Sequence, residues 1–523
     1  MSPLDFSLGG QLLRQKTLEL SIALFMLIIG VILTSVKPSI GFSSRGSIPA
    51  YSFYASGHFP VGNDGMANHG VRRGDNGVEF KEQPTDQVKG PYVVEQMTGD
   101  RGKSGSGATY VIYINWDGFA YRYYEWANSP SGSGTPVLNY LASRGALLTN
   151  AYNGFPGTTV PMQTSIVTGA WPAIHGNTHL YYDSAENVVK QMNRENSSET
   201  IGEVVAESGL SSASIQQFAL EGRGTWPDDP RHLYVQPSGS WHTRVAEAVK
   251  ILKQEAVTAG DGQEVIVPGI PRFLAIYADD LDATGHNLGM SYGFSLALNY
   301  EAWKAKLTRK LAYMDSGLGL LVDALSELGI LDQTAIILTS DHGMSHFTGD
   351  TSLPDVLETL SELGYVVELL SAGEKAHPRT DIVLVGGDLS LQFYFRWDIA
   401  LSEYDEIIDA LKAKPYFGGY MSVNELAKAG AHPDLGSLFI WAEPPYHFSP
   451  GNLRLRVGGH HNSGDESSRQ VFMLLSGAGI RQGIVVDKPV AIIDVAPTIS
   501  HLLGVRQPAN SMGRILEEAI AAY

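Results

Sequence analysis

Acidic and imidazole side chains recur at one kind of place in this chain, beside a short apolar run. Trp116-Asp117-Gly118 follows YVIYIN (110–115). Asp280, Asp282 and His286 follow FLAIYAD (273–279), and Asp341-His342-Gly343 follows AIILTS (335–340). Gly458-Gly459-His460-His461-Asn462 precedes VFMLL (471–475). Carboxylate oxygens with imidazole nitrogens are a donor set for Zn²⁺ or Mn²⁺ that needs no thiolate. These residues exceed what one tetrahedral ion takes. They suit two ions about 4 Å apart, the arrangement that clamps the attacking and leaving oxygens of a phosphoryl group.

A nucleophile is expected in FPGTTVPM (155–162), which lies between a strand-like segment (147–152) and a helix-like one that includes QTSIVTG (163–169). A hydroxyl at a helix N-terminus meets free backbone N–H groups and the positive end of the helix dipole. Direct contact with a metal would further lower its pKa. Thr159 and Thr158 are the candidates. Taken singly, every element has a plain structural reading. Asp117-Gly118 is a turn, Asp282 and His286 a helical i, i+4 pair, His460-His461 a solvated loop, and Thr158-Thr159 a cap. Their joint occurrence at strand ends selects the two-metal reading.

The elements that must position these groups alternate. The four apolar runs are rich in β-branched and aromatic residues and suit strands buried on both faces. A helix is expected over about 297–328, where Leu307, Leu311, Met314, Leu318, Leu321 and Leu325 form one apolar stripe. Others are expected over 200–208, ending at Gly209, and over 494–503, with Pro497 in the first turn. Such alternation predicts an α/β fold, a mostly parallel central sheet with helices on both faces, and a ligand site outside the carboxyl ends of the strands. Residues 371–450 break the rhythm with two strands around Gly386-Gly387, a helix near 403–412 and a strand at 437–442. They read as a cap inserted into a catalytic domain spanning 108–523.

Composition agrees. Of 523 residues, 43% are hydrophobic and 18% charged, enough apolar material for a large core. With 37 Lys+Arg against 55 Asp+Glu the net charge is −18. That balance argues against nucleic-acid binding, which requires a basic face. The absence of cysteine excludes disulfides, thiolate metal sites and a Cys nucleophile.

Residues 20–36 (LSIALFMLIIGVILTSV) carry no charge and reach roughly 25 Å as a helix, the short end of what spans a bilayer. Arg14 and Lys16 precede them and favour a cytoplasmic N-terminus at 1–16. The expectation is an uncleaved transmembrane or signal-anchor helix over 17–36, in a single-pass cell-membrane protein whose catalytic domain is extracytoplasmic. A cleaved signal and a secreted protein are the alternative. Residues 37–107, rich in Gly, Ser, Asn and Pro, read as a linker.

In VIYINWDGF (111–119), TPVLNYLASRGALLTNAY (135–152), FPGTTVPMQTSIVTGAWPAIHG (155–176), YADDLDATGHNLG (277–289), AIILTSDHGM (335–344), GGHHNSGDES (458–467), SGAGIRQG (476–483) and DVAPTISHLLGV (494–505) the chain resembles the type I phosphodiesterase / nucleotide pyrophosphatase branch of the alkaline phosphatase superfamily. The resemblance implies the alkaline-phosphatase-like fold and two divalent ions, most often Zn²⁺. It implies that Asp282, His286 and one of His460 and His461 hold one ion, while Asp117, Thr159, Asp341 and His342 surround the other. Thr159 would attack phosphorus and form a phospho-threonine that water then hydrolyses. His460, in the Gly-x-His register set by Gly458, is the favoured third ligand.

Departures from the family pattern are visible. The Asn that binds a phosphoryl oxygen about 20 residues after the nucleophile is replaced near Leu180, leaving Asn177 as the nearest substitute. Val160-Pro161-Met162 stands where the family has Phe-Pro-Asn. Trp116, Tyr181, Tyr182, Arg454 and Arg456 are further candidates for substrate contact. The implied substrate is a phosphate ester of a small molecule. A phosphomonoesterase, or a transferase of phospho-headgroups on lipid or glycan near the membrane, is the second expectation, and a non-catalytic metal-binding scaffold the third.

Overall fold

A computed structural model of the chain describes residues 107–287, 296–450 and 456–522. The linker, the expected membrane helix and Arg454 lie outside the described residues. Among the described residues, no helix is long and apolar enough to cross a membrane.

The run Tyr110–Trp116 lies inside a nine-stranded sheet, between Thr334–Thr339 and Phe273–Ala278, and is parallel to both. Beyond Phe273–Ala278 come Ser212–Ile215 and His232–Val235, also parallel. Beyond Thr334–Thr339 come Gln470–Gly477, Gly145–Tyr152 and Ile484–Val486. Gln470–Gly477 runs antiparallel to both its neighbours. One reversed strand makes the sheet mixed while most of its pairings stay parallel.

Side chains alternate between faces along a strand. Ile112, Ile114 and Trp116 pack in one layer, with the helices Tyr121–Ala127, Pro136–Ser143, Trp241–Leu252 and Tyr300–Glu327. Val111 and Tyr113 pack in the other, with Thr159–Thr168, Ile201–Glu207 and Val495–Leu503. Both layers are buried, so the strand sequences are continuously apolar rather than alternating. The six stripe residues of Tyr300–Glu327 are all fully buried, each contributing about 1.5–3 kcal/mol. Asn299 caps that helix by accepting from the Ala302 N–H at 2.8 Å.

The cap is a second sheet, ordered Val367–Leu370, Ile382–Gly387, Ser390–Phe395, Leu438–Ala442, Phe417–Ser422. It carries the helices Leu353–Glu362 and Leu401–Lys412 and a core of its own. The insertion therefore begins near residue 350, not 371. The edge strand Val367–Leu370 is mostly half-buried and lacks the apolar run that marks the central strands.

A two-stranded ribbon forms the neck of the cap. Ser345–Gly349 pairs antiparallel with Arg456–His460, with Ser345 opposite His460. The chain leaves for the cap just after Asp341-His342 and returns just before His461. Ribbon pairing thus joins two motifs more than a hundred residues apart.

Candidate metal centre and active site

Parallel strands deliver the residues that follow them to one rim of the sheet. The antiparallel strand Gln470–Gly477 delivers the residues that precede it to that same rim. Asp117, Asp282, Asp341, His342 and His461 therefore converge, and all five are buried. Among the described residues three overlapping clusters result: Asp117, Asp341 and His342; Asp282, His342 and His461; and His286, His460 and His461.

In the first cluster, His342 Nδ1–H donates to the Gly343 carbonyl at 2.9 Å. That bond sets the tautomer and leaves a lone pair on Nε2. Around Nε2 lie Asp117 Oδ1 at 3.1 Å, Thr159 Oγ1 at 3.2 Å and Asp341 Oδ2 at 3.7 Å. Asp117 Oδ1 and Asp341 Oδ2 are buried and accept no hydrogen bond. Leaving buried charged oxygens unsatisfied costs more than the ~1–3 kcal/mol of a neutral group. Carboxylate oxygens and an imidazole lone pair converging in this way fit a cation. Burial pushes the Asp341 carboxyl up to about 8, with Asp117 adding to the effect. Burial and the nearby Asp282 likewise raise Asp117, against the hydrogen bond that the Tyr277 hydroxyl donates to its Oδ2. A bound dication reverses that penalty by favouring the ionised forms.

In the second cluster, Asp282 Oδ1 lies 3.1 Å from His286 Nε2 and 3.8 Å from His461 Nε2. Burial would raise the Asp282 carboxyl, but His286 first, then His461 and His342, hold it well below the usual range. His461 Nδ1–H donates to the Gly157 carbonyl at 2.9 Å, which turns its Nε2 lone pair into the cluster.

His460, favoured by the sequence, is oriented differently. Its Nδ1 accepts the His461 N–H at 3.0 Å, and its Nε2–H faces Asp388 Oδ2 at 3.1 Å. Both ring nitrogens are engaged, so the ring turned toward Asp282 and His342 is that of His461. The Gly-x-His spacing cannot separate adjacent histidines, because rotation at the strand end decides which ring faces in.

The nucleophile candidate opens the helix Thr159–Thr168, with Thr158 in extended conformation at its N-cap. Asn462 holds the preceding loop: its Oδ1 accepts the Gly157 N–H and its own N–H donates to the Gly157 carbonyl, each at 3.0 Å. Gly118 lies where three segments meet. Its φ is +72°, and a Cβ there would lie 2.9 Å from the Asp282 Cα. The Asp282 N–H donates to the Asp117 carbonyl at 3.1 Å. Gly118→Ala is accordingly expected to cost about 2 kcal/mol or more, from left-handed strain plus displacement of Asp282. Denaturant unfolding and metal content measure both effects; a wild-type value in both would show that the segment relaxes freely.

Two expected substrate contacts are not placed for that role. Trp116 is fully buried in the core, edge-on to Trp241 with ring centroids 5.3 Å apart. As the last strand residue it points into the helix layer, away from the rim. Asn177 is also fully buried and already bonded. Its Nδ2 donates to the Glu195 carbonyl at 3.0 Å and its Oδ1 accepts the His179 N–H at 3.0 Å. It braces a loop instead of facing a phosphoryl oxygen. Tyr182 is buried against Tyr394 of the cap.

The Asn177 N–H donates to His175 Nδ1 at 3.2 Å, and His175 Nε2 lies 2.9 Å from Ser165 Oγ in the nucleophile helix. Burial lowers His175 from 6.5 to about 3. A depressed folded pKa means that stability is intact above pH 6.5 and lost as pH falls toward 3. The loss is about 1.4 kcal/mol per pH unit. In unfolding measurements between pH 7.5 and 5.5, of which only one unit lies below 6.5, the wild type is expected to lose about 1.4 kcal/mol of stability and His175→Gln less, a shallower slope. Equal slopes would remove His175 as the cause.

Tyr277, Asn462 and Asp388 were not singled out in the sequence. Tyr277 is hidden inside an apolar strand and Asp388 inside the cap. Asn462 adjoins the His pair, which is the one local signal available.

Comparisons with known proteins bear on the fold and the family. The family model for type I phosphodiesterase / nucleotide pyrophosphatase matches residues 111–448, well over half the chain. The bis(5'-adenosyl)-triphosphatase enpp4 of Mus musculus is 22% identical over 422 residues, 79% of this chain and 82% of its own. Alkaline phosphatase PafA of Elizabethkingia meningoseptica is 23% identical, covering 51% of this chain and 49% of its own. The solved murine ectonucleotide pyrophosphatase / phosphodiesterase 5 superposes with a TM-score of 0.53 at 18% identity, over 79% of this chain and 100% of its own. The chain belongs to the type I phosphodiesterase / nucleotide pyrophosphatase family and is a hydrolase of phosphoric esters.

Proposed function

We propose that the chain is a two-metal phosphodiesterase or pyrophosphatase that works through a covalent phospho-threonine at Thr159. The observation that carries this is the 3.2 Å approach of Thr159 Oγ1 to His342 Nε2, inside a buried cluster of carboxylates and imidazole lone pairs. Asp117, Asp341 and His342 would hold one divalent cation, with Thr159 beside it. Asp282, His286 and His461 would hold the other. An oxygen and nitrogen donor set without sulfur suits Zn²⁺, and also Mn²⁺. When bound, the ions supply Lewis acidity that activates a hydroxyl and polarises phosphoryl oxygens.

The chain's own groups do the rest. Thr159 Oγ gives up its proton to solvent and forms the new bond to phosphorus as the bond to the leaving oxygen breaks, the leaving oxygen keeping the electron pair. Water then takes the phosphoryl group from Thr159, which regains its proton. His342, fixed through Gly343, and Tyr277, bonded to Asp117, hold that part of the cluster in register. Asn462 and His461 fix Gly157, two residues before the nucleophile.

Nucleotide-type diesters or pyrophosphates fit the named activities of the relatives. A solved variant of murine ectonucleotide pyrophosphatase / phosphodiesterase 5, described as inactive, holds AMP. Val160 and Met162, which replace the family's aromatic segment, are buried. Phe218, packed edge-on to Tyr277 at 5.4 Å, clusters with Tyr277 and Val160. Hydrolysis of bis-p-nitrophenyl phosphate in preference to p-nitrophenyl phosphate is the expected result. The opposite preference would turn the assignment to a phosphomonoesterase. Residues 20–36 would anchor the protein in the cell membrane with this domain outside the cytoplasm.

A further inference from the structure

A cap side chain, Asp388, reaches the metal-ligand cluster. Asp388 sits in the tight turn between the cap strands Ile382–Gly387 and Ser390–Phe395, with a left-handed φ of 54° that Asp tolerates better than most residues. Ser449 Oγ donates to its Oδ1 at 2.7 Å, and the Phe448 N–H donates to its carbonyl. Its Oδ2 meets His460 Nε2 at 3.1 Å.

From His460 the contacts continue inward. The His460 ring lies 4.5 Å from that of His286, edge-on, and 4.7 Å from that of His461, stacked. Its Nδ1 accepts the His461 N–H, and His461 in turn bonds the Gly157 carbonyl of the nucleophile loop. Ser449, Asp388, His460, His461 and Gly157 thus form an unbroken chain from the cap to the residue two positions before Thr159.

We propose that Asp388 is a positioning residue of the metal centre: it holds His460, and His460 holds the two imidazoles, His286 and His461, that share a cation with Asp282. The cap is then part of the metal site and not only a cover. In this role Asp388 acts through His460. Outer partners of this kind fix ring orientation, and their loss costs about 10–100-fold in metal affinity or activity. The inference rests on the two-metal reading above.

Its test is a Zn²⁺ competition titration of the full chain against a chromogenic chelator, for Asp388→Asn, His460→Gln and the double variant. Each single variant is expected to weaken one of two bound Zn²⁺ ions by about 10–100-fold. The double variant is expected to be no weaker than the worse single, because both act along one path. Ser449→Ala, which leaves the carboxylate in place, is expected to weaken the same ion less, and it keeps the test open if Asp388→Asn disturbs the cap. Wild-type affinity in Asp388→Asn, or losses that add in the double variant, would overturn the inference. His461→Ala separates the two readings. If it leaves two Zn²⁺ bound with wild-type affinity, His461 is not a ligand and the ligand set assigned above fails. If it loses one ion while Asp388→Asn matches the wild type, only the role of Asp388 fails.

Discussion

Thr159→Ala is expected to lower turnover of bis-p-nitrophenyl phosphate by on the order of 10⁴-fold, since removing a covalent nucleophile abolishes the two-step path. The change removes Oγ1 and the Cγ2 methyl, while the neighbouring His342 keeps its bond to Gly343. The helix Thr159–Thr168 remains anchored by Met162, Ile166 and Val167 in the core. Thr159 itself is only half-buried, so the change in stability is expected within about 1 kcal/mol. Metal content should stay near that of the wild type, because both carboxylate–imidazole clusters are complete without the hydroxyl. Rapid acid quenching should trap phosphate on the wild-type chain at Thr159 and none on the variant. Full activity in Thr159→Ala would move the nucleophile to Thr158, whose buried Oγ1 has no hydrogen-bond partner.

Metal removal is expected to have the next largest effect. Chelation with EDTA should abolish turnover, and Zn²⁺ or Mn²⁺ should restore it. Among the variants, the geometry ranks the losses. His342 belongs to two of the three clusters, including both that contain a carboxylate, whereas His286 belongs to one. His342→Ala should therefore reduce occupancy of both ions and His286→Ala chiefly that of one. Asp282→Ala removes the one carboxylate that faces both His286 and His461, and it too should lose one ion. Elemental analysis of metal per chain reads these outcomes. Unchanged content in any variant removes that residue from the ligand set. Chelation should also lower thermal stability, because an ion at 1,000 times its Kd adds about 4 kcal/mol.

The motif residues were legible because their chemistry is local. Asp117, Asp282, His286, Asp341 and His342 stand within a few positions of apolar runs whose composition marks them as strands, and strand ends are where α/β sheets place ligands. The stripe from Leu307 to Leu325 predicted its helix within a few residues at either end. Other features left no such mark. The cap's first helix and edge strand extend the insertion twenty residues upstream of the expected boundary, because a half-buried edge strand carries no continuous apolar pattern. Trp116 has the residue type of a substrate contact, yet strand alternation sends it into the core.

Residue types, order and strand context, with the family resemblance they carry, were sufficient to specify an α/β hydrolase of phosphoric esters and to name candidate oxygen and nitrogen donors near a threonine. Folding alone decided which members of that set meet. The reversal of Gln470–Gly477 brought residues that precede a strand onto the rim reached by residues that follow the others. The His460–Asp388 contact turned one histidine of an adjacent pair toward the cap and left its neighbour facing Asp282. Strand direction and ring orientation are set by contacts between segments far apart in the chain, so no spacing of neighbouring residues encodes them.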